Sequence, residues 1–336
     1  MKISFTSICF AAVLICNQSN AQATKYHLGK TFKIASAGSW DYLTVDENSN
    51  RLYVSHATQV NVLDKNTGDS IGVIPNTTGV HGIAIVPSLG KGYTSNGRLN
   101  NVTVFDLKTL QVLSQINTGE NPDAIMYDEF SKRIITCNGR SKDLTIIDPN
   151  TEKVVATIPV GGKLETAVSD LKGRLYVNNE DKHEIAVIDL KTNTVITQWS
   201  LAPGESPTGL VIDRKNNRIF ATCEKLLVAI DTKDGKIIST IPIGEGCDGA
   251  AFDPSTGLVF TSNGAAATIS IIQSGKSIEL LSTINSKRSA RTIAIDTKSH
   301  KIYLPTAEME PVPADAPKGA RPKMIPGTFQ ILVFEQ

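Results

Sequence analysis

Two sets of polar residues recur along the chain at a nearly constant interval. The first reads Asp41, His81, Asp123, Glu165, Thr208, Asp248 and Arg291, in steps of 40, 42, 42, 43, 40 and 43 residues. The second reads His56, Asn96, Asn138, Asn179, Cys223, Asn263 and Thr306. Imidazole with carboxylate suits zinc, manganese or iron, and Asp41, His56 and His81 are the residues that fit that chemistry. Carboxylates with carboxamides suit calcium instead. If a cation polarised a carbonyl, His56 or His81 would act as the general base. The competing reading is that Asn and Asp at such intervals satisfy backbone groups at tight turns. The interval is set by a repeat rather than by coordination, and there is no nucleophile elbow, triad or dense ligand cluster. No resident cofactor is therefore expected, and a divalent cation on Asp41, His56 and His81 is the open alternative.

The elements that carry these residues are short strands. Each member of the first set opens an apolar run that ends in a turn, as in "DYLTVDENSN" at 41, "HGIAIVPSLG" at 81 and "TGLVIDRKNN" at 208. A second strand follows with an aromatic or aliphatic step: "LYVSH", "GYTSN", "IITCN", "LYVNN", "IFATC", "VFTSN", "IYLPT". A third ends in an aspartate at Asp64, Asp106, Asp148, Asp189 and Asp231, with Gln273 and Glu335 as exceptions. A turn rich in Lys, Asn, Thr and Gly leads into a fourth. β-Branched content, period-two alternation and turn residues at each junction indicate antiparallel strands, and no helical period is sustained beyond the N-terminal segment.

Four strands every ~42 residues is the arithmetic of a β-propeller blade. The seventh unit ends at "FQILVFEQ" without a fourth strand, whereas "YHLGKTFKI" at the other end has the apolar offset of one. Residues 26–34 are therefore expected to form the outer strand of blade seven and to pair with residues 329–335, leaving no open edge there. The fold class is all-β, a seven-bladed β-propeller over residues 24–336. In such a ring the starts of first strands and the ends of second strands converge on the top mouth of the channel. That places Asp41, His56, His81, Asn96, Asp123, Asn138, Glu165, Asn179, Asp248, Asn263 and Arg291 as a candidate ligand-binding rim.

The second-strand endings Tyr53-Val54-Ser55-His56 and Tyr176-Val177-Asn178-Asn179, with the following x-V-x-V-[FI]-D strand, resemble the Tyr-Val-Thr-Asn repeat of YncE-like exported bacterial propellers. The resemblance covers the chain beyond its first residues and implies the propeller fold, export and a binding role. Propellers of similar repeat style include the cytochrome d1 domain, the nitrous-oxide reductase propeller and calcium-dependent lactonase-type enzymes, so the resemblance does not select an activity.

The totals narrow the function. With 34 Lys+Arg against 33 Asp+Glu, the chain lacks the basic excess of a nucleic-acid binder. Lys2, the run "ISFTSICFAAVLIC" and Ala21 and Ala23 read as a signal peptide, residues 1–23, too short to be a membrane span. The expected protein is thus periplasmic or secreted, with no transmembrane segment. Cys137, Cys223 and Cys247 remain after cleavage. A disulfide between Cys223 and Cys247 requires Cα atoms within about 7 Å, and two unpaired thiols are the alternative. C-x-x-C-H is absent, which excludes covalent c-type haem.

The unit is violated once, by the proline-rich loop 307–328, which leaves the top face of blade seven. It is either a lid carrying Glu308, Glu310, Lys318, Arg321 and Lys323 over the mouth, or a packed surface strap. The expected function is a monomeric, rigid binding or scaffold module that takes a small molecule, glycan or protein on its top face. The alternative is a metal-assisted, lactonase-like hydrolase or lyase acting on a sugar-acid substrate.

Overall fold

The structure, a computed structural model, describes residues 25–312 and 322–336. The expected signal peptide lies outside the described residues, as do Lys318 and Arg321 of the loop. Seven four-stranded antiparallel sheets form a ring, each a blade with its first strand innermost. Blade one comprises Trp40–Val45, Arg51–His56, Gln59–Asp64 and Ser70–Ile74. Blade seven is completed by the N-terminal strand His27–Lys33, which pairs antiparallel with Gln330–Glu335 from His27↔Glu335 to Lys33↔Gln330.

The core lies in seven clusters, mostly between neighbouring blades. Between blades seven and one, for example, Trp40, Leu43, Leu52 and Val54 pack on Tyr303, Phe329, Ile331 and Val333. Middle strands are covered on both faces, so they read as nearly continuous buried runs. Outer strands such as Lys153–Pro159 bury little.

The repeated second strand has a physical reason at each position. Its aromatic residue crosses to the next blade: the Tyr303 hydroxyl donates to Lys65 O at 3.0 Å, and that of Tyr176 to Thr232 O at 3.3 Å. Two positions later, in blades one, two, five and six, a Ser or Thr serves the innermost strand. That strand slips register near its start, between Trp40 and Leu43, Val80 and Ile83, and Pro122 and Ile125, with further slips in blades four and six. Such a bulge leaves backbone groups unpaired and re-aims side chains. Here the freed N–H groups of Asp41 and Gly82 donate to Ser55 Oγ and Ser95 Oγ, and just ahead of the first strand of blade five Gly209 N–H donates likewise to Thr222 Oγ1, each at 2.9 Å. Ser95 and Ser262 also donate to the carbonyls of Asp123 and Arg291 on the following blades.

Candidate ligand site at the channel mouth

The register slips fall at members of the first polar set, and the structure brings these residues together on the channel axis. His81 Nδ1–H donates to Asp41 Oδ2 at 2.6 Å and lies 3.8 Å from Asp123 Oδ1. Arg291 pairs with Asp248, stands 3.6 Å from Asp41 Oδ1 and donates to Trp40 O at 3.0 Å. Glu165 is held by Lys163 at 2.7 Å, and Lys163 also pairs with Glu180. Thr208 instead ties blades five and six, its hydroxyl donating to Cys247 O at 3.0 Å.

Carboxylates outnumber cations here, and the protonation equilibria reflect it. Burial pushes Asp123 up to about 7, with the favourable charge of His81 opposing and the charges of Asp41 and Asp248 adding. Burial and then the charge of Asp123 push Glu165 up to about 10. Asp248 is also raised, chiefly by burial and against the pull of Arg291. For His81, burial favours the neutral imidazole, but the bond to Asp41 and the charge of Asp123 prevail and the pKa is raised. The side chains of His81, Asp248 and Arg291 keep 26%, 26% and 38% exposure, so the group is desolvated yet reachable.

Tyr42 belongs to the site although its residue type gave no warning. The residue after each ring member is otherwise small: Gly82, Ala124, Thr166, Gly209, Gly249 and Thr292. Inner strands crowd together there; a Cβ on Gly209 would lie 2.7 Å from Ala250 N. Tyr42 instead lines the upper channel, and a cavity of about 160 Å³ lies beside it. Burial and the charges of Asp123, Glu165, Asp41 and Asp248 hold its hydroxyl well above the ordinary range. One large residue in a column of small ones was the available signal.

The second polar set has a different placement. Asn96, Asn138, Asn179 and Asn263 are fully buried and tied within their own blades. Asn96 Nδ2 donates to Asn101 Oδ1 and Thr103 Oγ1, both at 2.8 Å, and Asn138 Nδ2 to Asp143 Oδ1 at 2.7 Å. Asn179 Nδ2 reaches Glu184 Oε1 at 2.9 Å, and Asn263 Nδ2 reaches Thr268 Oγ1 at 3.1 Å. These carboxamides connect the second strand to the third rather than meeting Asp41 and His81.

His56 is likewise apart from that pair. Its Nε2–H donates to Gly38 O at 2.9 Å, its Nδ1 lies 2.7 Å from Ser36 Oγ, and its ring stacks on Phe329 at 4.1 Å. Both nitrogens are occupied, and burial lowers its pKa. The group of three whose ligand atoms lie within 4.8 Å of one another is Asp41, His81 and Asp123 rather than Asp41, His56 and His81.

Cys223 and Cys247 stand as two unpaired, buried thiols in the structure. Cys223 packs among Leu201, Leu210 and Val228, whereas Cys247 Sγ turns to Gly249 O of its own strand at 3.4 Å. Burial pushes each thiol up to about 12.

The long loop starts and ends as a short ladder in which Met309 bridges Met324 and Glu310 N–H donates to Lys323 O at 2.7 Å. Glu308 pairs with Lys287 at 2.9 Å. Among the described residues, no helix is long and apolar enough to cross a membrane.

No family of known proteins matches the chain, and no curated protein matches it either. Among solved structures it is similar to the hydrazine synthase of Kuenenia stuttgartiensis, with a TM-score of 0.70 at 14% identity. That match covers 80% of this chain and 94% of the other. At this identity the likeness establishes a shared fold, and the fold is the seven-bladed β-propeller.

Proposed function

We propose that the chain is an exported, non-catalytic propeller of the YncE-like repeat style, whose top face binds a small, donor-rich ligand at the channel mouth. The observation that carries this reading is the charge imbalance at the axis. Among the described residues, Asp41, Asp123, Glu165 and Asp248 face Arg291, Lys163 and a titrating His81 as their cations. Desolvated carboxylates short of donors are stabilised by a ligand that supplies hydroxyls or ammonium groups. The end of a glycan or an organic amine has that chemistry, and a protein partner could present it on a side chain. Near-neutral net charge gives no support to nucleic acid.

The test is a melting-temperature screen of the purified monomer against sugars, sugar acids, amines and polyamines. A ligand at 100 times its Kd adds about 2.7 kcal/mol of stability. A hit should be lost in Asp41→Asn/His81→Ala/Asp123→Asn. A hit retained at full size in that variant, or no hit in any class, overturns the assignment.

A second reading is favoured by one observation, the three ligand atoms of Asp41, His81 and Asp123 within 4.8 Å of one another. A divalent cation there would support lactonase-like hydrolysis or lysis of a sugar-acid substrate. Elemental analysis of protein purified without added salts tests it. Stoichiometric metal, with a chelator-induced loss of melting temperature abolished by His81→Ala, would establish this reading over the first.

A further inference from the structure

Beside the mouth, between blades six, seven and one, lies a second cleft of about 590 Å³. Its apolar wall is built from Trp40, Met309, Pro322 and Met324, and its polar wall includes Arg288 and Arg291. Distant segments meet here: the start of blade one, the top of blade six with Asp248, the turn before blade seven, and the ladder at the base of the long loop. Trp40 is 7% exposed and stacks on Phe329 at 5.3 Å. Its indole N–H is buried without an acceptor, which is costly for a strong donor.

The two guanidiniums differ. Arg291 is engaged by Asp248, Asp41 and the Trp40 carbonyl. Neighbouring Lys287 is engaged by Glu308. Arg288 is exposed and makes no side-chain bond among the described residues. The cleft therefore combines an uncompensated planar cation with an aromatic and thioether wall. A carboxylate accepts two parallel N–H bonds from a guanidinium, and methionine sulfur and indole pack well against a flat apolar body.

We infer that this cleft, which borders the axial group at Asp248 and Arg291 but lies away from Asp41, His81 and Asp123, is a binding site for a small organic anion with an apolar, planar body. Its carboxylate sits on Arg288 and its body lies against Trp40, Met309 and Met324. The inference goes beyond the proposed function: it concerns a different ligand charge and does not need the axial site to be occupied.

The test is calorimetric titration of the full exported chain with 3-phenylpropionate, and with 3-phenylpropan-1-ol as a neutral analogue of the same shape. The carboxylate is expected to bind saturably and about tenfold or more tighter than the alcohol. Arg288→Gln, at an exposed position, should weaken carboxylate binding about tenfold while leaving the alcohol unchanged. In a Trp199→Phe background Trp40 is the remaining tryptophan, and its emission should change with the same saturation curve. No saturable binding, equal affinity for acid and alcohol, or an unaltered Arg288→Gln titration would each overturn the assignment. Because the axial ligand is tested through Asp41, His81 and Asp123, failure of either site leaves the other standing.

Discussion

Removing the N-terminal strand should cost far more than trimming a tail. A chain that begins at Ile34 loses the whole of His27–Lys33, and with it the partner of Gln330–Glu335. Two large side chains go with it: Tyr26 at 5% exposure and Phe32 at 4%. Each buried side chain of that size contributes about 1.5–3 kcal/mol. Tyr26 also packs edge-on against Phe260 at 5.2 Å and donates to His300 O at 3.0 Å, a bond worth about 1 kcal/mol. The total, roughly 5 kcal/mol, is a large part of the ~5–15 kcal/mol that stabilises a folded protein. It should appear as a fall in melting temperature of roughly 10 °C or more in a calorimetric scan. The stripped edge also offers six unpaired residues to other chains, so sedimentation should show association. A truncated protein that melts within a degree or two of its parent, and associates no more than its parent does, would refute the closure argument.

Three further outcomes follow from the site. His56→Ala should destabilise by about 2–4 kcal/mol, because a 1%-exposed ring bonded to Ser36 and Gly38 is removed, whereas His81→Ala, at a side chain 26% exposed, should cost less; chemical unfolding of both variants checks this. Asp123, at about 7 when folded, binds its proton more tightly than in the unfolded chain, so stability should fall as pH rises from about 4 to 7. The raised His81 pKa acts with the same sign, its contribution present below about 6.5 and lost above the folded value. Asp123→Asn should lessen that decline in melts taken across the range, leaving the part of the same sign that Glu165, pushed up to about 10, and Asp248 contribute. Cys137, Cys223 and Cys247 should resist a thiol reagent in the native protein and all react once it is unfolded, since each is a buried free thiol raised by burial.

The architecture was legible because each blade repeats the same physical solution. The aromatic step reads as an inter-blade contact and the terminal polar residue as a strand end, and both recur often enough to set the period. The first polar set was legible for a related reason: it marks the register slips that turn side chains to the axis. The second set was harder to place. Asn96, Asn138, Asn179 and Asn263 also end strands near the top, but each turns into its own blade to bridge the third strand. Strand position alone does not say which side of the sheet a residue faces when the neighbouring strand carries a bulge. His56 was drawn into the candidate metal set by its type, and the contacts that occupy it, Ser36, Gly38 and Phe329, come from segments far apart in sequence. Tyr42 was visible only by aligning the blades and asking which member of a small-residue column is large. The cleft beside Arg288 has no sequence signature, since it forms where segments remote in sequence meet.

The central claim is that the axial carboxylates hold a ligand. A crystal structure of the protein grown with its most stabilising sugar or amine tests this most directly. The account predicts difference density above Tyr42, with donor groups within about 3.2 Å of the carboxylates of Asp41, Asp123 or Glu165. Density elsewhere on the disc, or an axial site unchanged with His81 still bonded to Asp41 and nothing added, would contradict it.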